Sequence, residues 1–378
     1  MKSKPRVLLL SASSGAGHVR AAEALQKAFS VRDCVVEHID AMKYASKLFQ
    51  SLYHKTYVSL ARRAPDLLGL LYNRTDQPWN PPKPRLAMDR LNVQPMIRML
   101  KRVQPDLCIA THFLPGEILA WLIAKKKLRA RSAIVITDYD VHALWLCRTV
   151  DRYYVALPES AEYLAAIGVP REKLCITGIP VDPLFAKAVD QIDARKSLQL
   201  DLRHPIVLAA AGGEGVGPIE QLVRGLLELR RPWQIVAIAG KSEKMRKRLE
   251  ELARSAGTLP GGAARLHPVG FTTAMDQYMA AADLLVGKAG GLTTSEALAR
   301  ALPMVLIEPI PGQEERNADH LLEAGAAIRC NNLPVAAWKI AALLDDPARL
   351  NQMREAAGRM ARPNAAADIA EDALALVN

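Results

Sequence analysis

Two α/β domains, each a parallel sheet covered on both faces by helices, are what this sequence predicts, and three observations carry the prediction. The chain has 378 residues, more than one hydrophobic core ordinarily serves, so it should divide. Short apolar runs alternate with amphipathic helical patterns from end to end, the order that yields parallel strands joined by crossover helices. Half of the residues are hydrophobic and only 5% aromatic, an ordinary composition for such a fold. No apolar run reaches the roughly 18 to 20 residues that span a bilayer, and the amino-terminal run is too short for a secretory signal core. The expectation is a cytoplasmic protein. Cys34, Cys108, Cys147, Cys175 and Cys330 are scattered without metal-ligand spacing and read as free thiols in a reducing compartment.

The elements follow in order. Strands are expected at Arg6–Ser11, Cys34–Ile39, Leu107–Ala110, Ala133–Thr137 and Arg152–Ala156, each a short apolar run bounded by a polar loop or a helical pattern. A second series comprises Ile206–Ala210, Gln234–Ala239, Ala264–Pro268, Leu284–Val286 and Met304–Ile307. The connection falls near Gly178–Pro183, giving an amino-terminal domain over residues 1–178 and a carboxyl-terminal domain over 179–361. The last helix, residues 362–378 after Arg362-Pro363, is expected to return to the first domain.

Two insertions interrupt the first series. Residues 41–75 read as one or two amphipathic helices, with Phe49, Leu52, Tyr53, Tyr57 and Leu60 at helical spacing and Lys43, Lys47, Lys55, Arg62 and Arg63 supplying cations. The stretch Gln77–Arg85 is too rich in proline for a helix or a central strand and reads as a mobile loop carrying Trp79. The formal net charge of +11 is distributed unevenly: up to residue 180 there are 27 Lys and Arg against 15 Asp and Glu, and beyond it 23 against 24. Residues 43–102 alone hold 12 basic and 3 acidic side chains. Such a field draws a polyanion, and a basic amphipathic helix beside exposed Trp and Leu suits an anionic membrane interface.

Ligands of open parallel sheets bind beyond the carboxyl ends of the strands, and four loops qualify. The first, Ser13-Ser14-Gly15-Ala16-Gly17-His18, opens a helix but lacks the Gly-Lys-Ser/Thr of a phosphate-binding Walker loop. His18 there is either a catalyst or a phosphate contact. The second is Ala211–Gly217, with Gly212 and Gly213. The third is Gly287-Lys288-Ala289-Gly290-Gly291-Leu292-Thr293-Thr294-Ser295-Glu296-Ala297, whose backbone N–H groups at a helix start suit a diphosphate and whose Glu296 suits the two hydroxyls of a ribose. The fourth, Pro311–Asn317, holds the amides and carboxylates that bind sugar hydroxyls. Three such loops in one domain outline a nucleotide-sugar site.

The third and fourth loops and the spacing between them resemble the donor-binding region of glycosyltransferase family 28, in the group that makes monogalactosyl- or glucosyl-diacylglycerol. The first loop with His18, the stretch Thr137-Asp138-Tyr139-Asp140-Val141-His142-Ala143-Leu144-Trp145, and Gly178-Ile179-Pro180-Val181 resemble the same group, so the likeness covers nearly the whole chain. It implies two Rossmann-like domains facing a cleft, the GT-B arrangement. It also implies a UDP-hexose donor, with Glu296 on the ribose, Gly290, Gly291 and Thr293 on the diphosphate, Gln313 and Glu314 on the hexose, and Phe271 beside the uracil. Lys288 would stand near the departing diphosphate, with Gly212, Gly213 and Asn317 completing the donor site.

The family implies inversion at the anomeric carbon, in which a base takes the acceptor proton; His18 is the candidate, with Asp138 as rival or orienting partner. Gly17, His142 and Trp145 are placed on the acceptor side, and Lys43, Lys47, Arg62, Arg63 and Trp79 on the membrane. Asp138-x-Asp140 matches a pattern that holds a divalent cation in a different transferase fold, but it lies away from the diphosphate loops, and neither metal nor cofactor is expected. The reading is an inverting transfer of hexose to a membrane lipid, diacylglycerol by preference, by an enzyme attached peripherally to the cytoplasmic face. The alternatives are a polyprenyl-linked or other amphiphilic acceptor, a UDP-sugar epimerase, and a nucleic-acid-binding protein. The last would need stacking aromatics that are not arranged here in any recognisable motif, and nucleic acid is not the expected partner.

Overall fold

The computed structural model describes residues 4–13, 15–46, 49–50, 64–80, 83–210, 212 and 217–377. The chain forms two compact units: Met1–Pro183 with Ile310–Arg316 and Arg362–Asn378, and Leu184–Pro309 with Asn317–Ala361. The first contains β1 (Arg6–Ser11), β2 (Val35–Asp40), β3 (Leu107–Ala110), β4 (Arg131–Val135), β5 (Arg152–Val155) and β6 (Leu174–Ile176). All pair in parallel, in the order β2-β1-β3-β4-β5-β6. The second contains β7 (Ile206–Ala210), β8 (Gln234–Ile238), β9 (Leu266–Val269), β10 (Leu284–Gly287), β11 (Met304–Ile307) and β12 (Ala327–Cys330). These are again all parallel, in the order β12-β11-β10-β7-β8-β9.

The apolar run of β1 shows why the sheet is covered twice. Val7 and Leu9 pack with Leu25 and Phe29 of the Ala16–Ser30 helix and with Ile369 and Ala373 of the Ala365–Ala375 helix. Leu8 and Leu10 point the other way, onto Ile97, Leu100 and Leu119. Alternate side chains of a strand face opposite sides, and each buried leucine contributes about 1.5–3 kcal/mol of transfer free energy. The Ala365–Ala375 helix is also held by Tyr154, whose hydroxyl donates to Asp372 Oδ2 at 2.8 Å. Gly178, at φ +89°, lets the chain pass Arg362: a Cβ there would stand 2.4 Å from the Arg362 Cβ. In the second unit Val207, Leu226, Ile235, Leu284, Val305 and Ile340 belong to one continuous core.

β9 starts two residues later than expected, at Leu266, and four further details differ from the periodicity. Each sheet has a sixth strand, because the short β6 and the arginine-containing β12 lie at sheet edges where an apolar run is not required. β2 starts at Val35, since the Cys34 N–H turns back to the Arg32 carbonyl. β4 starts at Arg131, opposite Leu107, so Thr137 lies beyond its end. The proline-rich stretch is not a free loop. Trp79 Nε1 donates to the Ile167 carbonyl at 2.6 Å, the Arg148 guanidinium lies 4.5 Å from the ring centroid, and the indole packs on the core around Tyr153 and Leu164. Trp79 is therefore part of the first unit and not a membrane wedge. A helix, Lys83–Asn92, begins inside the stretch, with Pro84 in its first turn, where no backbone N–H is needed.

The first insertion opens with a single 3-10 turn, Ala41–Tyr44, followed by Phe49 buried against the first core. Later comes the Pro65–Thr75 helix. Lys47, Leu52, Tyr53, Lys55, Tyr57, Leu60, Arg62 and Arg63 lie outside the described residues.

Candidate active site

In the first sheet the chain moves from β1 outward to β2, then returns to place β3 on the other side of β1. The loops leaving β1 and β3 consequently diverge and open a crevice at their carboxyl ends. His18 stands there, in the first turn of the Ala16–Ser30 helix. Its Nδ1 lies 3.0 Å from the Thr111 carbonyl oxygen and 2.8 Å from Thr137 Oγ1, and Thr111 Oγ1 donates to the His18 carbonyl at 2.8 Å. A carbonyl only accepts, so the hydrogen of the neutral ring sits on Nδ1 and the lone pair is on Nε2. Among the described residues nothing hydrogen-bonds to Nε2. Burial lowers the His18 pKa to about 4, because the charged ring loses hydration, and the imidazole is neutral at neutral pH.

The loop is positioned from below. Asp40, at the end of β2, accepts the Ser13 N–H at 3.0 Å and the Met42 N–H at 3.0 Å. His112 meets the His18 ring edge-on at 4.6 Å, and its Nδ1 accepts the Leu114 N–H at 3.0 Å, capping the Phe113–Ala124 helix. Gly17 is half-buried in the turn that carries His18. Thr111, His112 and Asp40 escape sequence reasoning, and Thr137 enters it only as the end of an expected strand and the first residue of a longer stretch. Their only signal is a polar residue at or just beyond the end of an apolar strand.

Asp138 is buried, and its Oδ1 accepts from Gln313 Nε2 at 2.7 Å. Asp140 Oδ2 lies 3.0 Å from Arg316. The carboxylates of the Asp-x-Asp pattern thus face an amide and a guanidinium. His142 is buried and occupied: Nδ1 accepts the Leu144 N–H at 3.1 Å, and Nε2 donates to the Tyr72 carbonyl at 3.0 Å. Trp145 is buried too, with its ring centroid 6.2 Å from that of His18. Lys43 is exposed. On the Pro65–Thr75 helix Leu67, Leu70 and Leu71 are 47%, 61% and 42% exposed. Among the described residues no helix is long and apolar enough to cross a membrane.

The second sheet has its own reversal, between β7 and β10. Gly287 allows the close approach there, since a Cβ would lie 3.1 Å from the Ala210 carbonyl oxygen. The helix Gly291–Ala299 starts with Gly290 as its N-cap and no side-chain cap. Its small hydroxyls turn inward: Thr294 Oγ1 donates to the Gly290 carbonyl at 2.9 Å and Ser295 Oγ to that of Gly291 at 2.8 Å. A helix start with glycine backbone and no side-chain cap can receive an anion.

Lys288 and Thr293 are half-buried beside it, and Glu296 is buried one turn inside. Asn317, expected at the donor, is wholly buried and donates from Nδ2 to the Ala289 carbonyl at 3.1 Å, so it shapes the loop. Glu314, expected at the hexose, closes its own loop by accepting the Ile310 N–H at 2.7 Å. Gly212 occupies an exposed turn at φ +72°, Gly213 lies outside the described residues, and Phe271 is exposed.

The family described as monogalactosyldiacylglycerol (MGDG) synthase matches residues 18–181, and the glycosyltransferase family 28 C-terminal domain matches residues 211–373. A processive diacylglycerol beta-glucosyltransferase of Bacillus mycoides is 30% identical over 99% of this chain and 95% of its own. Among solved structures, MurG of Acinetobacter baumannii aligns with a TM-score of 0.65 at 17% identity, over 98% of this chain and 99% of its own. A putative UDP-N-acetylglucosamine 2-epimerase of Listeria monocytogenes aligns at 0.61 and 15%, over 98% and 96%. The fold is therefore common to proteins with different names, and sequence identity separates them.

Proposed function

We propose, from the premise that this chain belongs to the diacylglycerol glycosyltransferases of glycosyltransferase family 28, that it moves a hexose from a UDP-sugar to the hydroxyl of diacylglycerol with inversion at the anomeric carbon. The observation that carries the mechanism is the His18 tautomer: Nδ1–H is committed to Thr111 and Thr137, which leaves the Nε2 lone pair to act as base. The acceptor oxygen attacks the anomeric carbon while the bond to the diphosphate breaks, the hydroxyl proton passes to Nε2, and UDP departs. The helix start at Gly290-Gly291 with Lys288 favours the charge gathering on the leaving diphosphate. Glu296 is assigned to the ribose, Gln313 to the hexose and Phe271 to the uracil. No cofactor or metal enters this reading, and activity should persist in excess EDTA.

Diacylglycerol resides in a bilayer, so the enzyme must approach one. Exposed Lys43 with Lys47, Arg62 and Arg63 would meet anionic headgroups on the cytoplasmic face, each contributing on the order of 1 kcal/mol. Leu67, Leu70 and Leu71 would enter the boundary layer. Purified protein incubated with radiolabelled UDP-sugar and vesicles should place label in a lipid of inverted anomeric configuration. Label found only in a polyprenyl-linked product, or an epimerised UDP-sugar with no lipid product, would replace the reading. Binding to vesicles should need anionic lipid and fall with salt. It should disappear when Lys43, Lys47, Arg62 and Arg63 are changed to Glu, with UDP binding unchanged. Duplex DNA and RNA serve as competitors, and tight nucleic-acid binding without vesicle binding would overturn the membrane assignment.

A further inference from the structure

Three separate stretches of the first unit meet at one arginine. Arg316 NH1 lies 2.8 Å from Asp76 Oδ2 and 3.0 Å from Asp140 Oδ2. Its guanidinium carbon stands 5.1 Å from the centroid of the Tyr72 ring. Tyr72 lies in the Pro65–Thr75 helix and Asp76 caps it; Leu67, Leu70 and Leu71 of the same helix are exposed. Two glycines make the approach possible. Gly312 takes φ +87°, and a Cβ there would fall 2.6 Å from Tyr72; a Cβ on Gly69 would stand 3.0 Å from that of Pro311. Asp76 is fixed in turn, its Oδ1 accepting the Ala143 N–H at 2.8 Å. Three residues before Arg316, Gln313 donates to Asp138. Asp138 directly follows Thr137, the hydroxyl on His18 Nδ1.

We infer that Arg316 is a positioning residue for the transfer: it keys the leucine-bearing Pro65–Thr75 helix to the Ile310–Arg316 segment, and so sets the Gln313 amide on Asp138. The inference rests on the proposed transfer to diacylglycerol. An arginine suits the place because two carboxylates and an aromatic face share one planar guanidinium. A lysine ammonium could meet the carboxylates but has no planar face to lay on the Tyr72 ring. The helix that faces the lipid and the loop that carries Asp138 then move as one piece.

The test compares Arg316→Met, Arg316→Lys and Asp76→Asn with the unaltered protein. The readouts are kcat with vesicle-borne diacylglycerol, UDP affinity, and hydrogen exchange over residues 65–75 and 310–316. Arg316→Met should lower kcat about 10- to 100-fold with UDP affinity unchanged, and Arg316→Lys should recover part of the loss. Adding Asp76→Asn to Arg316→Met should cost little more, since both remove one interaction. Exchange should rise in both segments together. Wild-type kcat in Arg316→Met, or a loss matched by equal loss of UDP affinity, would overturn the inference. If the unaltered protein transfers no hexose to diacylglycerol, it is the proposed function that fails. Hydrogen exchange still decides on Arg316 in that case, because a rise confined to one segment, or to neither, would show that it does not join them.

Discussion

The crevice beyond β1 and β3 and the crevice beyond β7 and β10 arise from the same reversal of strand order, yet they are furnished in opposite ways. The first holds a side chain. His18 is gripped through Nδ1 by a carbonyl and a hydroxyl from two further loops, so that one nitrogen is oriented and the other is left basic. The second holds backbone. Gly290 and Gly291 open a helix whose hydroxyls fold inward onto the loop carbonyls, and Asn317 steadies the loop from beneath. A proton acceptor must be aimed, and aiming requires side-chain partners. A diphosphate is large, charged and symmetric, and a row of N–H groups at a helix start meets it without a long side chain in the way.

The comparison is broken most severely at His18. Changing it to alanine should lower kcat by about 10² to 10⁴ while UDP affinity stays constant. A parallel fall in UDP binding, read by titration, would make the first crevice an anion site, the role proposed for the second. Glu296→Ala is the reciprocal change and should raise the donor KM about ten- to a hundredfold, with vesicle binding intact. Unaltered donor affinity would move the ribose elsewhere.

Smaller effects sharpen the contrast. Thr137→Val removes the hydroxyl from His18 Nδ1 but leaves the Thr111 carbonyl, so kcat should fall only about 3- to 10-fold. A larger drop would make the hydroxyl the main anchor. The acid side is the last test. In the proposed mechanism the active form of His18 is the neutral one, so kcat/KM should persist through pH 6.5 and decline only as pH falls through about 4. His18, His112 and His142 all have pKa values lowered by burial. Below about pH 6.5 the unfolded chain binds protons that these rings refuse in the fold, and stability therefore falls as pH drops from 6.5 toward 4. Thermal melts should show a decrease of roughly 2–4 °C per kcal/mol lost, and a melt flat across that window would place the rings in contact with water.

Much of this was legible from the chain alone wherever the signal is short-ranged. The runs Val7–Leu10 and Val207–Ala210 announce buried parallel strands because a strand covered on both faces needs no polar alternation. The glycine-rich turns after β1 and β10 mark the candidate ligand loops because small residues there allow backbone to approach. Trp79 departs from expectation for a physical reason: an aromatic among prolines looks exposed until Ile167, 88 residues later, offers its carbonyl to the indole. The charge of residues 43–102 was visible as a sum, but a sum does not say which side chains point outward.

Composition and periodicity determined the α/β class, the two parallel sheets and the loops at the ends of their strands, since each depends on neighbours a few residues apart. Tertiary structure alone decided what those loops do. His18 gains its tautomer from Thr111 and Thr137, 93 and 119 residues away. Gln313 finds Asp138 across 175 residues, and Arg316 finds Asp76 across 240. Hydrogen bonds of that span leave no period in a sequence. They exist because packing the hydrophobic faces of the sheet brings the ends of distant strands together, and only then does a threonine beyond a strand become the partner of a histidine.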